Sequence, residues 1–159
     1  MKHLPKYLQP RWRYLAVELH TWADTSLERD PFQRALYYSA QNLLGDVGSA
    51  RVDLSVVRFR GYPGRAEAIV RTRRGEVESA RAVSACVTEI AEKPVGVRIR
   101  GVSGTIQACE EKYMGHQREN PEERHVVFEN ADRTALITDG RADVRTGDAF
   151  VGATTLDFE

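Results

Sequence analysis

Cysteine is scarce in this sequence, and the two that occur form no metal or redox motif. Only Cys86 and Cys109 are present among 159 residues, and they are too far apart for a C-x-x-C pair. A disulfide-stapled secreted domain or a structural zinc site needs more cysteines at closer spacing. We therefore expect a cytoplasmic protein in which both cysteines are reduced core thiols.

Long apolar runs are missing too. No segment approaches the roughly 18 apolar residues that a membrane helix needs. The N-terminal segment MKHLPKYLQPRWRYL has basic residues but lacks the apolar core of a signal peptide. With 42% hydrophobic and 29% charged residues, the composition is that of a globular domain, and we expect no membrane association.

Patterns typical of catalytic and metal sites are also absent. Adjacent Glu110 and Glu111 would point about 100° apart on a helix, so they do not converge on one substrate atom, and we expect both to be solvated. No two histidines have the H-x-x-x-H spacing of a metal site. We therefore predict no catalytic residue and no metal ligand, and we expect every histidine at the surface: His3, His20, His116 and His125.

Charge is balanced overall but not along the chain. The 23 Lys and Arg equal the 23 Asp and Glu, yet residues 1–114 hold an excess of basic residues and residues 115–159 an excess of acidic ones. Most of the basic residues are arginines, whose planar guanidinium suits phosphate. This distribution favours an anionic partner for the first part of the chain.

The order of predicted elements is that of one α+β domain. Period-two alternation indicates strands, and Asp30, Pro31 and Gln33, a capping-box pattern, indicate the start of a helix that Gly45 ends. The order β-α-β-β-α-β is the ferredoxin-like, or RRM-like, sandwich, with helices on one sheet face and the other face left for a partner. The predicted strands are 11–20, 52–60, 66–74 and 95–102, and the first two helices are 31–44 and 76–90.

The segment GVSGTIQACEEKY (101–113) predicts a turn and an extra helix at the end of the domain. We expect Gly101 and Gly104 to bend the chain off the sheet, and Ser103 or Thr105 to cap the helix. The segment lacks the Lys-Ser/Thr ending of a P-loop. The buried stripe of this helix is predicted to be Ile106, Cys109 and Tyr113.

The remainder of the chain differs in composition. Residues 116–125 are charged and contain Pro121, which is typical of a linker. Two short runs, HVVFEN and TALITDG, can pair as a hairpin before an acidic end. We assign 1–114 to the RRM-like domain and 115–159 to an acidic extension that is partly ordered at best.

The arginines of the predicted sheet are candidates for binding RNA. An RRM sheet stacks bases on aromatic residues, but the second hairpin strand, EAIVRTRR, has none. Arginines at this density suit the phosphates of a folded RNA recognised by shape, and the basic N-terminal arm adds cations. The alternative is a solvated face balanced by Glu67, Glu76 and Glu78. The candidates are Lys2, Lys6, Arg11, Arg13, Arg58, Arg71, Arg73, Arg74, Arg98, Arg100 and Gly104, the last because free N–H groups at the start of the next helix can donate to a phosphate.

Five segments together resemble one known family. RYL (13–15), ALYYSAQNLLGDVGSA (35–50), VVRF (56–59), AIVRTRRGEV (68–77) and RGVSGTIQACEEKY (100–113) look like the archaeal and eukaryotic ribonuclease P component 2 family, the small Pop-type subunits. The most specific feature is a strand ending in G-x-S-G-T-I before a helix with Ala-Cys. The long tail is similar to extensions of halophilic archaeal members.

The resemblance implies a protein subunit of a ribozyme. In that family the RNA, with magnesium ions, removes the 5′ leader from precursor tRNA, and the protein holds no cofactor and no catalytic residue. The resemblance also implies pairing with ribonuclease P protein component 3, joint bracing of the catalytic domain of the RNA, and self-association. From the residues alone, a ferredoxin-like small-molecule-binding regulatory domain and a free-standing nuclease remain the alternatives.

Overall fold

The architecture was obtained as a computed structural model that describes residues 4–115, 122–138, 141–147 and 149–158. Lys2 and most of the predicted linker lie outside these residues. The strands are β1 (Trp12–His20), β2 (Ser55–Tyr62), β3 (Arg65–Arg73), β4 (Glu89–Ile90), β5 (Lys93–Pro94), β6 (Gly96–Ser103), β7 (Glu122–Phe128), β8 (Ala131–Thr138), β9 (Arg141–Thr146) and β10 (Ala149–Thr154). The helices are α1 (Arg29–Val52), α2 (Val77–Ala85) and α3 (Ile106–Tyr113).

The main sheet has the strand order β2-β3-β1-β6, and all its pairs are antiparallel. Disregarding the two-residue strands β4 and β5, the chain order is β-α-β-β-α-β followed by α3. The predicted ferredoxin-like sandwich is therefore confirmed. The central strand β1 pairs along its whole length with β3, so residues near 12 and near 73 meet at one end of the sheet.

One face of the main sheet packs on α1 and α2. Leu15, Val17 and Leu19 alternate along β1 and point toward these helices. Phe32 and Leu36, one turn apart on α1, join the same cluster and are fully buried. Burial of these side chains against the sheet is the main source of stability for the sandwich.

The second face is partly covered by α3, so the expectation that helices lie on one face only is wrong. Ala16 and Ile69 point away from α1 and α2, and they pack against Ile106 and Cys109 of α3. The prediction of an apolar stripe on α3 is correct. A stripe shows that a helix buries one side, but it does not say against which face of a sheet.

Helix α1 extends further than predicted. Gly45 has φ 71° and ψ −177°, so the helical conformation breaks there as expected, but helical turns resume and continue to Val52. Asp53 then adopts the left-handed conformation, and its N–H donates to the carbonyl of Ser49 at 3.0 Å. No helix among the described residues combines the length and apolarity needed to cross a bilayer.

Helix α2 is shorter than predicted, and this changes the environment of one cysteine. It ends at Ala85 instead of continuing to residue 90. Cys86 follows the last helical residue and is exposed, so the expectation of a core thiol is wrong at this position. Cys109, on α3, is buried as predicted.

A second sheet lies in the C-terminal extension, with the order β10-β9-β8-β7. The sequence predicts one hairpin here, and β7 with β8 forms it; β9 and β10 extend it into a four-stranded meander. The division of the chain near residue 115 stays a prediction. The meander has its own apolar cluster: Val126, Phe128, Ala135, Ala142 and Val144.

Candidate nucleic-acid interface

A cleft of about 310 Å³ opens at one end of the main sheet. The strand register creates it, because the start of β1 pairs with the end of β3 (Trp12 with Arg73) and with the end of β6 (Tyr14 with Ser103). Segments far apart in sequence therefore meet at one place. We call this site the cationic cleft, and its walls are Arg11, Trp12, Arg13, Tyr14, Arg74 and Gly104.

The positive charge of the cationic cleft is not neutralised within the described part of the chain. Arg11 and Arg74 are exposed, and the N–H of Arg74 donates to the carbonyl of Arg11 at 2.8 Å, which holds the two residues together. Arg13 donates to the carbonyl of Trp12 at 3.2 Å. Among the described residues, no carboxylate lines the cleft. Three guanidinium groups are therefore available to an anion in solution.

Two further predicted arginines are positioned by Trp12. The guanidinium carbons of Arg71 and Arg73 lie 3.9 Å and 4.4 Å from the centroid of the indole ring. Cation–π contacts of this kind contribute about 0.5–1 kcal/mol each at exposed sites. Arg73 also contacts Asp53 at 3.1 Å. Trp12 thus fixes a pair of arginines beside the cleft.

The start of α3 adjoins the same cleft. Thr105 caps the helix as predicted, since its hydroxyl oxygen accepts from the N–H of Ala108 at 3.1 Å. A side chain on Gly104 would contact Arg13. The predicted bend at Gly101 is wrong, however, because this residue lies within β6 and pairs with Ala16.

The remaining predicted arginines are paired with acids. Arg98 contacts Asp143 at 3.3 Å, and its side chain is only 17% exposed. Arg100 donates to Glu18 at 2.8 Å. Arg58, on the exposed edge of the sheet, contacts Glu110 of α3 at 3.2 Å, so this carboxylate has a partner in addition to solvent. Their role in RNA binding stays a prediction, and their charge is already compensated inside the protein.

His20 is 1% exposed, so the expectation that every histidine lies at the surface is wrong. Its Nε2 lies 2.7 Å from a Glu18 oxygen, and its Nδ1 lies 3.5 Å from an Asp143 oxygen. Burial alone lowers the pKa of His20, but the close polar contacts with Asp143 and Glu18 and the charge of both carboxylates raise it above 6.5 overall. We call Glu18, His20, Arg98, Arg100 and Asp143 the charge cluster, of which Glu18, His20 and Asp143 are buried.

One sequence signal for this cluster is present. Glu18 and His20 are two residues apart on a strand, which places both side chains on one face. Asp143 lies far away in sequence on β9, and no local pattern connects it with His20.

The N-terminal arm contributes Arg11 and Arg13 to the cleft, but not Lys6. Lys6 lies on a short 3-10 turn at Lys6–Leu8 and is exposed, outside the walls of the cleft. The prediction for Lys2 falls outside the described residues. Within the ranges that the structure describes, no group of three or more histidine, cysteine or acidic side chains is arranged to hold a metal ion.

Comparison with known proteins gives consistent matches. The model of the Rpp14/Pop5 family matches residues 13–114. Ribonuclease P protein component 2 of Haloarcula marismortui is 58% identical over 160 residues, covering 99% of both chains. The protein of that name from Halorubrum lacusprofundi is 55% identical over the full length of both chains.

More distant matches are shorter. Ribonuclease P protein component 2 of Thermococcus gammatolerans is 32% identical over 120 residues, which span 72% of this chain and 95% of that protein. Among solved structures, a chain of yeast ribonuclease MRP matches with a TM-score of 0.50 and 14% identity, covering 63% of this chain and 79% of that one. This last similarity concerns the fold.

Proposed function

The chain belongs to the Rpp14/Pop5 family, and on this premise we propose that it is a component 2 protein subunit of ribonuclease P whose cationic cleft binds the RNA of that ribonucleoprotein. The observation that carries the RNA contact is the set of three arginines at one end of the sheet, with no acidic partner among the residues that the structure describes. Phosphates of an RNA backbone are the anions that such a set fits.

The side chains of the cleft support a binding role rather than a catalytic one. Arginine stays protonated in proteins, so Arg11, Arg13 and Arg74 cannot act as general bases. They can neutralise and orient phosphates. We propose that the RNA, with its magnesium ions, carries the cleavage of precursor tRNA, and that the protein holds the RNA in place.

Protein partners are part of the proposal. Apolar side chains are exposed on α1, on the side away from the core, and they support contact with another protein. We propose ribonuclease P protein component 3 and a second copy of this chain as such partners. The exposed residues are Tyr37, Tyr38, Leu43 and Val47.

The two free cysteines fit a reducing compartment, so we propose a cytoplasmic location.

Neutralising the cleft should weaken RNA binding. We expect the triple variant Arg11→Gln, Arg13→Gln, Arg74→Gln to bind ribonuclease P RNA roughly tenfold more weakly. The slope of log K against log salt should also fall, because each lost phosphate contact removes about 0.7–0.9 from it. Filter binding over a salt series measures the affinity and its salt slope. Cleavage of precursor tRNA by the RNA with component 3 measures how far each variant stimulates the reaction.

A matched control removes the same charge elsewhere. The variant Arg34→Gln, Arg51→Gln, Arg81→Gln changes three exposed arginines on the helices. If both triple variants bind and stimulate equally, the cleft is not the contact. Cleavage of precursor tRNA by the purified protein alone, abolished by a chelator, would instead support a nuclease and contradict the proposed role.

A further inference from the structure

The second sheet docks on the main sheet at the end opposite the cationic cleft. Asp143 of β9 reaches His20, the last residue of β1, and Arg98 of β6. Beside them, the rings of Trp22 and Phe150 lie 5.4 Å apart at 51°. The contacts that join the two sheets include the buried Asp143 carboxylate and the packing of Trp22, whose ring also lies 5.5 Å from the guanidinium carbon of Arg145 on β9.

The Asp143 carboxylate sits directly above the backbone of β6. A Cβ atom at Gly96 would lie only 2.6 Å from the carboxyl carbon and 2.7 Å and 2.8 Å from its oxygens. Glycine at this position leaves the space that the carboxylate fills. Arg98, His20 and the open backbone at Gly96 thus form three sides of a site for an anion.

The carboxylate does not satisfy this site completely. His20 Nδ1 and Asp143 Oδ2 are both buried and have no hydrogen bond of regular geometry within the described residues, although they lie 3.5 Å apart. An anion with more oxygens, such as a phosphate, can meet the imidazole and the guanidinium together. Glu18, the nearby acid, accepts from Arg100 at 2.8 Å with one oxygen, and its other oxygen lies 2.7 Å from Nε2 of His20.

The second sheet is also an addition to the domain that the family model describes. The family model ends at residue 114, before β7 begins. The Thermococcus gammatolerans protein is matched over 95% of its own length by a part of this chain. The family domain therefore occurs in a relative whose length leaves little room for a counterpart of the second sheet.

We propose that the second sheet is an intramolecular cover, in which the Asp143 carboxylate occupies a site for an RNA phosphodiester formed by Arg98, His20 and the backbone at Gly96. While the cover is docked, RNA is confined to the cationic cleft. When it lifts, the Arg98 end of the sheet becomes a second phosphate contact. This site is separate from the cleft on which the proposed function rests.

Removing the charge of the cover should increase binding to RNA. We expect Asp143→Asn to bind a labelled oligouridine several-fold more tightly than the wild-type protein, with a salt slope larger by roughly 0.7 for one additional phosphate. Adding Arg98→Ala should abolish the gain. The control is Asp132→Asn, which removes one exposed acid of the same sheet. This variant should bind the oligouridine with the affinity of the wild-type protein.

A second variant lifts the cover without changing charge and without altering the site. Phe150→Ala removes the ring of the cover that lies 5.4 Å from Trp22 and leaves Arg98, His20 and Gly96 unchanged, so the same gain in oligouridine affinity is expected. Protease cleavage within β7–β10 should become faster. If Asp143→Asn does not fold, Phe150→Ala decides alone. Affinities equal to that of Asp132→Asn for the variants that fold would overturn the proposal. Because the probe needs neither component 3 nor ribonuclease P RNA, failure of the proposed function would appear in a different assay.

Discussion

Gly101→Ala is expected to lower the free energy of unfolding by about 1–3 kcal/mol, the range observed when a methyl group is forced into a packed interior. The ring of Tyr113 lies where the new Cβ atom would be, so the two would overlap. Gly101 is fixed in β6 by pairing with Ala16, and the ring is carried by α3. The added methyl must therefore displace the Tyr113 ring from its place on the sheet.

Denaturant unfolding measures this effect, and Gly152→Ala is the control. Gly152 also lies in a strand, but a Cβ atom added there would meet open space, with no described atom beyond its chain neighbours within 4 Å. A change within about 0.5 kcal/mol is therefore expected. In the double variant Gly101→Ala, Tyr113→Ala the overlap is gone, and the two effects should not add. Equal stability of the two single glycine variants would contradict the close packing of Tyr113 on β6.

His20→Gln is expected to destabilise the protein by about 1.5–3 kcal/mol at pH 6, the range for a buried hydrogen bond to a charged group. The glutamine keeps a polar side chain but cannot carry the charge that faces Glu18 and Asp143. Arg98 and Arg100 remain protonated throughout, so they do not change the charge of the cluster. The loss should be visible as a lower denaturant midpoint.

The effect of His20 depends on pH in a defined direction. Its pKa is raised in the folded protein, so its contribution is fully present below 6.5 and is lost as pH rises through the folded-state value. Wild-type stability should therefore fall with rising pH, while His20→Gln shows a flatter profile, and the two should converge. His125→Gln, at an exposed position on β7, should retain the wild-type profile. A difference that grows with pH would contradict the bridging role.

Local patterns in the sequence determine much of the main sheet. The alternation of β6 places Arg98 and Arg100 on the face opposite Val97 and Ile99, and Thr105 is identifiable as a helix cap because its side chain acts on its own neighbours. Gln33 shows the limit of such patterns. The sequence predicts a capping box for it, but its amide donates to Leu54 and its oxygen accepts from Val56 at 2.7 Å, across to β2.

In the cationic cleft too, local sequence patterns predict the individual residues but not how they come together. Arg11, Arg13 and Arg74 are candidates for separate reasons, on the arm and on the sheet, and only the strand register brings them to one cleft. The sequence places Arg98 on the correct face, yet its partner Asp143 comes from β9. The docking of one sheet on another depends on shape and charge between distant segments, which composition does not reveal.

The two tryptophans of the chain stand at the two ends of the main sheet. Trp12 lies in the wall of the cationic cleft under Arg71 and Arg73, and Trp22 touches Phe150 of the cover. Since the chain has only these two indoles, each end carries its own intrinsic fluorophore. A Trp22→Phe protein would report ligand arrival at the cleft by its emission alone, and a Trp12→Phe protein would report the separation of the sheets.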